Sequence, residues 1–417
     1  MSAPRTSPAR QTSLREHNLA LVLREVADRG PATRARIAAA TGLTKATVSS
    51  LVDMLVGARL LDERGLDAGT VGRPGQSLGL AARGPVGVGI EINVDYLATC
   101  TVDLTGAVRG REVVVGDLRG TPVPAVLARA AGLLRRAADA AREAGLPVAG
   151  AAVAVPGLVD HAAQVLRLAP NLGWRDVDVL AGLQERKGVL QRPLDLRLGN
   201  EADLGALAEL WCGGHRDAAG QPVTTFVHVS GEIGVGAGIV LDGDLLTGRR
   251  GFGGEIGHLT VADDGPPCAC GSSGCLERLA GQEAILRRAG LGSEPGTAIG
   301  RPEGPLGELV ARASAGDAAA LAAVTGAGRV LGRGVAAILN LVDVDTVVLG
   351  GIYAALSPWL RAPVERELAA RVLGAPWAPP LVLVSSLGGE AAVRGAAMSV
   401  VRSVIADPAG YLARVAG

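Results

Sequence analysis

The stretch Gly254-Glu255-Ile256-Gly257-His258, followed after nine residues by Cys268-Ala269-Cys270-Gly271-Ser272-Ser273-Gly274-Cys275-Leu276-Glu277, decides how the 417-residue chain is read. One imidazole and three thiolates make a complete tetrahedral donor set for zinc. With no position left for water, the metal expected on His258, Cys268, Cys270 and Cys275 is structural. Gly271 and Gly274 supply the tight path that such ligands need. The other two cysteines, Cys100 in a strand and Cys212 after a helix, are expected to be simply buried. An odd number of scattered cysteines and no basic-then-apolar leader argue against a secreted disulfide scaffold and predict a cytoplasmic protein. The longest uncharged stretch that looks at all like a membrane span, residues 144–159, is too short and is broken by Pro147 and Pro156.

Working outward, Glu255 lies three residues before His258 and Glu277 two after Cys275, so a metal-held loop fixes two carboxylates near each other. Carboxylates accept hydrogen bonds from vicinal hydroxyls, and a rigid set of acceptors is what a sugar requires. Four Trp, three Tyr and two Phe are too few for a base-stacking platform, which disfavours single-stranded nucleic acid. The balance of 41 basic against 41 acidic residues says little as a total. Residues 1–83 carry 12 Arg or Lys and 7 Asp or Glu, a net of +5, which leaves −5 for the rest.

In that basic segment Leu19, Val22, Leu23 and Val26 give the stripe of a helix ending near Gly30-Pro31. Thr33 can cap a second helix through Thr41, Gly42 closes it, and Thr44 caps a third with Val48, Leu51, Val52 and Leu55 inward. The pattern predicts helix, tight turn, helix, with the start of the third helix seated in a DNA major groove. Residues 60–62 and 76–78 are expected to form a two-stranded wing, and Arg73 in Gly72-Arg73-Pro74-Gly75 to enter a minor groove. The DNA-contacting residues expected are Arg34, Thr44, Lys45, Ala46, Thr47, Ser49, Ser50 and Arg73.

The remainder reads as two related halves. Strands are expected at 86–92, 96–103 and 109–115, then a helix over 123–144 and a strand at 148–155 ending in Pro156-Gly157. The second half repeats this with strands at 224–229 and 236–241, helices, and a strand at 346–349 ending in Gly350-Gly351. A cleft between two lobes follows.

With the metal motif and Asn200-Glu201-Ala202-Asp203 in view, the chain resembles the ROK family of repressors, open reading frames and sugar kinases. Residues 37–49 also look like the winged helix-turn-helix of bacterial repressors. The resemblance implies an α/β fold: an N-terminal winged helix-turn-helix (1–83), then a two-lobed ribonuclease H-like body of the actin and hexokinase type with a structural zinc site. The lobes would span 84–198 and 199–390, and a C-terminal helix (391–417) would return to the first lobe. It places sugar contacts on Pro156, Gly157, Asn171, Asn200, Glu201, Glu255, His258 and Glu277. The partners implied are double-stranded operator DNA, a xylose-like or glucose-like effector and a second copy of the chain, as a homodimer or homotetramer.

The departures separate regulator from enzyme. Kinases of the family have Asp-x-Gly-Gly-Thr in the first hairpin, where this chain has Glu91-Ile92-Asn93-Val94-Asp95; Glu232 in Ser230-Gly231-Glu232-Ile233-Gly234 puts a second acid in the other phosphate loop. Carboxylates facing a triphosphate repel it. A sugar-responsive repressor without kinase activity is therefore expected. An active sugar kinase with an added DNA-binding domain, or a repressor governed by a protein partner, are the alternatives.

Overall fold

The computed structural model describes residues 11–67, 75–185, 195–292 and 304–416. Its first segment holds α1 (Gln11–Arg29), β1 (Ala32–Thr33), α2 (Arg34–Thr41), α3 (Lys45–Gly57), β2 (Leu61–Asp67) and β3 (Gly75–Leu80). The caps are the expected ones. Thr33 Oγ1 accepts the Arg36 amide, Thr44 Oγ1 accepts the Thr47 amide at 3.2 Å, and Gly42 ends α2 with φ 72°. That left-handed residue turns α3 across α2, and both helices bury their apolar faces under Leu19, Val22, Leu23 and Val26 of α1. The wing is present but larger than expected: β1 adds to β3 through Ala32↔Leu78 and Thr33↔Ser77, giving a three-stranded sheet ordered β1-β3-β2. Arg73 lies outside the described residues.

The body begins with β4 (Val86–Ile92), β5 (Tyr96–Asp103), β6 (Val108–Val115), α4 (Val123–Glu143) and β7 (Val148–Val155). A small antiparallel sheet of β8 (Leu158–Asp160), β9 (Val165–Ala169) and β10 (Trp174–Val177) follows, then α5 (Val179–Gln184), β11 (Leu196–Asn200) and α6 (Glu201–Cys212). The second half consists of β12 (Phe226–Gly231), β13 (Val235–Leu241), β14 (Asp244–Leu245), a single 3-10 turn at Ile256–His258, α7 (Leu276–Ala280), α8 (Gln282–Arg288), α9 (Pro305–Ser314), α10 (Ala318–Val342), β15 (Thr346–Gly351), α11 (Ile352–Arg371) and β16 (Leu381–Val384). The chain closes with α12 (Ala391–Ala406) and α13 (Pro408–Ala416).

The duplication expected from the strand pattern is visible in the topology. One sheet runs β6-β5-β4-β7-β11 and the other β14-β13-β12-β15-β16, each an antiparallel meander followed by two parallel strands. α6 lies between the sheets, with Gly236 and Gly238 of β13 flat against Ala202 and Ala206. α12 lies on the face of the first sheet that looks toward α6, where Gly87 and Gly89 leave no space between β4 and the carbonyls of Ala397 and Val393. α10 is apolar and long enough to cross a bilayer, yet one side of it, from Ala320 to Leu339, is buried in the second core.

Candidate metal centre and the cleft beside it

The His258, Cys268, Cys270 and Cys275 group, which could hold a metal ion, forms where the loop after β13 doubles back onto α7. Positive φ at Gly271 (96°) and Gly274 (67°) lets the chain fold tightly, and Gly274 packs so closely on Ala262 that no Cβ fits. The ligand atoms of His258, Cys268, Cys270 and Cys275 all lie within 4.8 Å of one another. Cys270 Sγ and Cys275 Sγ are 3.7 Å apart, as are Cys268 Sγ and His258 Nδ1. A tetrahedron with metal–sulfur bonds of about 2.3 Å has edges of about 3.8 Å, so the donor set fits a tetrahedral ion. Cys268 Sγ also lies 2.9 Å from Glu277 Oε1, tying the group to the carboxylate at the start of α7.

Glu277 and His258 belong at the same time to a cavity of about 60 Å3 between the lobes. All eight residues proposed from sequence to contact a sugar line it: Pro156, Gly157, Asn171, Asn200, Glu201, Glu255, His258 and Glu277. Gly157 (φ 99°) holds the β7–β8 turn against the Leu168 carbonyl. Asn200 has much of its capacity committed to structure: Oδ1 caps α6 through the Ala202 and Asp203 amides, and Nδ2 donates to the Gly157 carbonyl at 2.8 Å. This Asn pins both walls of the cavity in place. The lining contains Glu201, Glu232, Glu255 and Glu277 and neither Lys nor Arg.

Behind the cavity the acids crowd further. Glu91 Oε1 accepts from Tyr96 Oη at 2.5 Å and from Asn93 Nδ2 at 3.1 Å, while the same Nδ2 reaches Glu201 Oε2 at 3.3 Å. Burial, then repulsion between neighbouring carboxylates, raises these groups: Glu91 to about 7, Glu201 to about 8, Glu232 well above the usual range. Glu201 is therefore mostly protonated at pH 7 and can donate as well as accept. A carboxyl in that state is a weak base toward a sugar hydroxyl. Asn93, which drew no notice in the sequence beyond replacing a glycine, is the donor that links Glu91 to Glu201. An amide flanked by acids at 91 and 95 was the signal for it.

On the N-terminal module Thr44, Lys45, Ala46 and Ser50 are exposed at one end of α3, with Thr47 and Ser49 half-buried beside them. The guanidinium of Arg34 is held by Asp53 at 2.9 Å and Glu63 at 3.1 Å, joining α2 to α3 and β2. It therefore acts as a brace within the module.

The chain has clear relatives. A model described as the ROK family matches residues 87–403. The xylose repressor of Bacillus subtilis (strain 168) is 28% identical over 395 residues, spanning 94% of this chain and 97% of its own. A crystal structure of a ROK family transcriptional regulator, described as a homolog of the E. coli MLC protein, superposes with a TM-score of 0.75 at 25% identity over 97% of this chain and all of its own. A ROK family glucokinase from Streptomyces griseus, solved with glucose and AMPPNP, gives 0.62 at 25% identity over 75% of this chain and 98% of its own.

Proposed function

Because the chain belongs to the ROK family, and because its likeness to a repressor runs through the N-terminal module as well as the body, we propose that it is a sugar-responsive, DNA-binding transcriptional repressor without kinase activity. The observation that carries this reading is the buried acid cluster. Asp95 and Glu232 stand in the two loops where a kinase of this fold holds ATP phosphates, Glu91 is buried beside Asp95, and Glu201 stands where such a kinase keeps its base. A triphosphate brought among them would meet repulsion in a low-dielectric site, with neither Lys nor Arg among the described lining residues to offset it.

The effector in this reading is an uncharged monosaccharide, xylose-like or glucose-like. Its hydroxyls donate to Glu255 and Glu277, and protonated Glu201 donates back. Asn171 and the Pro156-Gly157 turn complete the wall. The His258, Cys268, Cys270 and Cys275 group is taken to hold a structural zinc, whose chemistry is to clamp this loop with no open coordination position. With its Nδ1 turned to the thiols, His258 keeps the other ring nitrogen for the cavity. Reduced thiols suit a cytoplasmic protein.

Two copies of the module, in a homodimer or homotetramer, would read a pseudo-palindromic operator through Thr44, Lys45, Ala46, Thr47, Ser49 and Ser50, with Arg73 reaching the minor groove. Sugar would favour the closed lobes and lower operator affinity by its differential binding to the two states. Calorimetry with xylose and glucose, paired with operator shift assays at fixed salt, tests the reading. Binding of either sugar with a change in operator affinity is expected; phosphorylation of either sugar by ATP at ordinary enzyme rates would overturn it.

A further inference from the structure

α6 starts at the cavity with Glu201 and ends beside Trp211. α12 lies against it backbone to backbone: at Gly395 there is no room for a Cβ against the Leu204 carbonyl. On its other side α12 meets β4 in the same way at Gly87 and Gly89. Contacts this close leave no slack, so α6, α12 and β4 move as one body.

The far end of that body meets the DNA-binding module around Arg402. Arg402 of α12 sits over the Trp211 ring of α6, 5.7 Å from its centroid, and its Nη1 donates to Asp28 Oδ1 of α1 at 3.0 Å. Nearby, Arg24 of α1 donates to the Ala406 carbonyl at 3.2 Å. Val401, Val404 and Ile405 share a single buried core with Leu19, Val22, Leu23 and Val26, the stripe on which α2 and α3 also rest.

We propose that Arg402 is the positioning residue through which sugar in the cleft acts on the DNA-binding module. The inference rests on the repressor reading above and adds the route of the signal. A shift of the first turn of α6 is carried into α12 at Gly395. Arg402, answering to Trp211 on one side and Asp28 on the other, converts it into a tilt of α1 and hence of α3. Exposed ion pairs contribute little to stability, so the role of this one lies in the angle it sets.

The test uses the full chain, xylose and glucose as probes, and a duplex selected on the wild-type protein from random-sequence DNA. Arg402→Met keeps an apolar stem over Trp211 and removes the charge; Arg402→Lys restores a cation. In Arg402→Met, sugar affinity and resting operator affinity are expected to stay within about 3-fold of wild type. The sugar-dependent change in operator affinity, about 5- to 150-fold for couplings of ordinary size, should fall below about 3-fold and return in part with Lys. If the wild type binds neither sugar, or binds without a change on DNA, the repressor reading falls and this inference with it. If the wild type responds and Arg402→Met responds equally, the inference alone is overturned. A large loss of sugar and operator affinity together in Arg402→Met would mark the residue as merely structural and overturn it too.

Discussion

The two lobes share a strand order and differ in how each sheet is closed. The second is covered on its outer face by helices from its own segment, α7 to α11, and carries the His258, Cys268, Cys270 and Cys275 group that could hold a metal. The first has α4 on one face and borrows α12 for the other from the end of the chain. A lobe that completes itself can serve as a fixed platform for ligand. A lobe completed by a distant helix is necessarily tied to whatever else that helix touches, and here that is α1.

The largest break in this comparison should come from the second lobe. Cys270→Ser removes one of four ligands, and the melting temperature is expected to drop by about 10 °C or more, because metal affinity is folding free energy in such sites. Hydrogen exchange should show the loss centred on residues 256–280. An equal melting temperature with and without a strong chelator would count against a structural metal. Next in size, Glu255→Ala should weaken sugar binding by about 10- to 100-fold, the usual worth of a hydrogen bond to a charged group, with metal content unchanged.

Acidity tests the cleft side of the first lobe. Folded Glu91 and Glu201 hold protons up to about 7 and about 8, whereas unfolded they release them near 4.5. The folded state thus binds more protons across that window, and stability falls as pH rises from about 5 to about 8, by up to about 1.4 kcal/mol per pH unit for each group. Chemical denaturation at several pH values should show that slope, and Glu91→Gln should flatten it. A stability that rises over the same range would contradict the buried-acid description.

Two glycines give the finest contrast. Gly89→Ala forces a methyl against the Val393 carbonyl and should cost about 1–3 kcal/mol by overpacking the borrowed helix. Gly326→Ala, on the open side of α10 in the second lobe, meets nothing within 4 Å and should stabilise by about 0.5–1 kcal/mol. Denaturant midpoints of the two variants measure both; the same sign for both would erase the difference drawn between the lobes.

Much of this was legible in the residues because its determinants are local. Thr33, Gly42 and Thr44 announce their caps, and His258 with three cysteines announces its tetrahedron. The β8 to β10 sheet was missed: its strands are three to five residues long and are joined through Asp160-His161-Ala162-Ala163-Gln164, which reads as loop. Asp95 and Glu232 could be named as lost phosphate loops, but the protons kept by Glu91, Glu201 and Glu232 depend on burial, which no window of sequence reports. The pairing of Arg34 was hidden for the same reason, since Asp53 and Glu63 reach it only through the turn and the wing.

The helix on loan to the first lobe also sets an order of events. During synthesis α1 leaves the ribosome early, yet its apolar stripe stays partly bare until residues 391–416 follow it out. A chain cut short near its end would therefore carry an imperfect DNA reader.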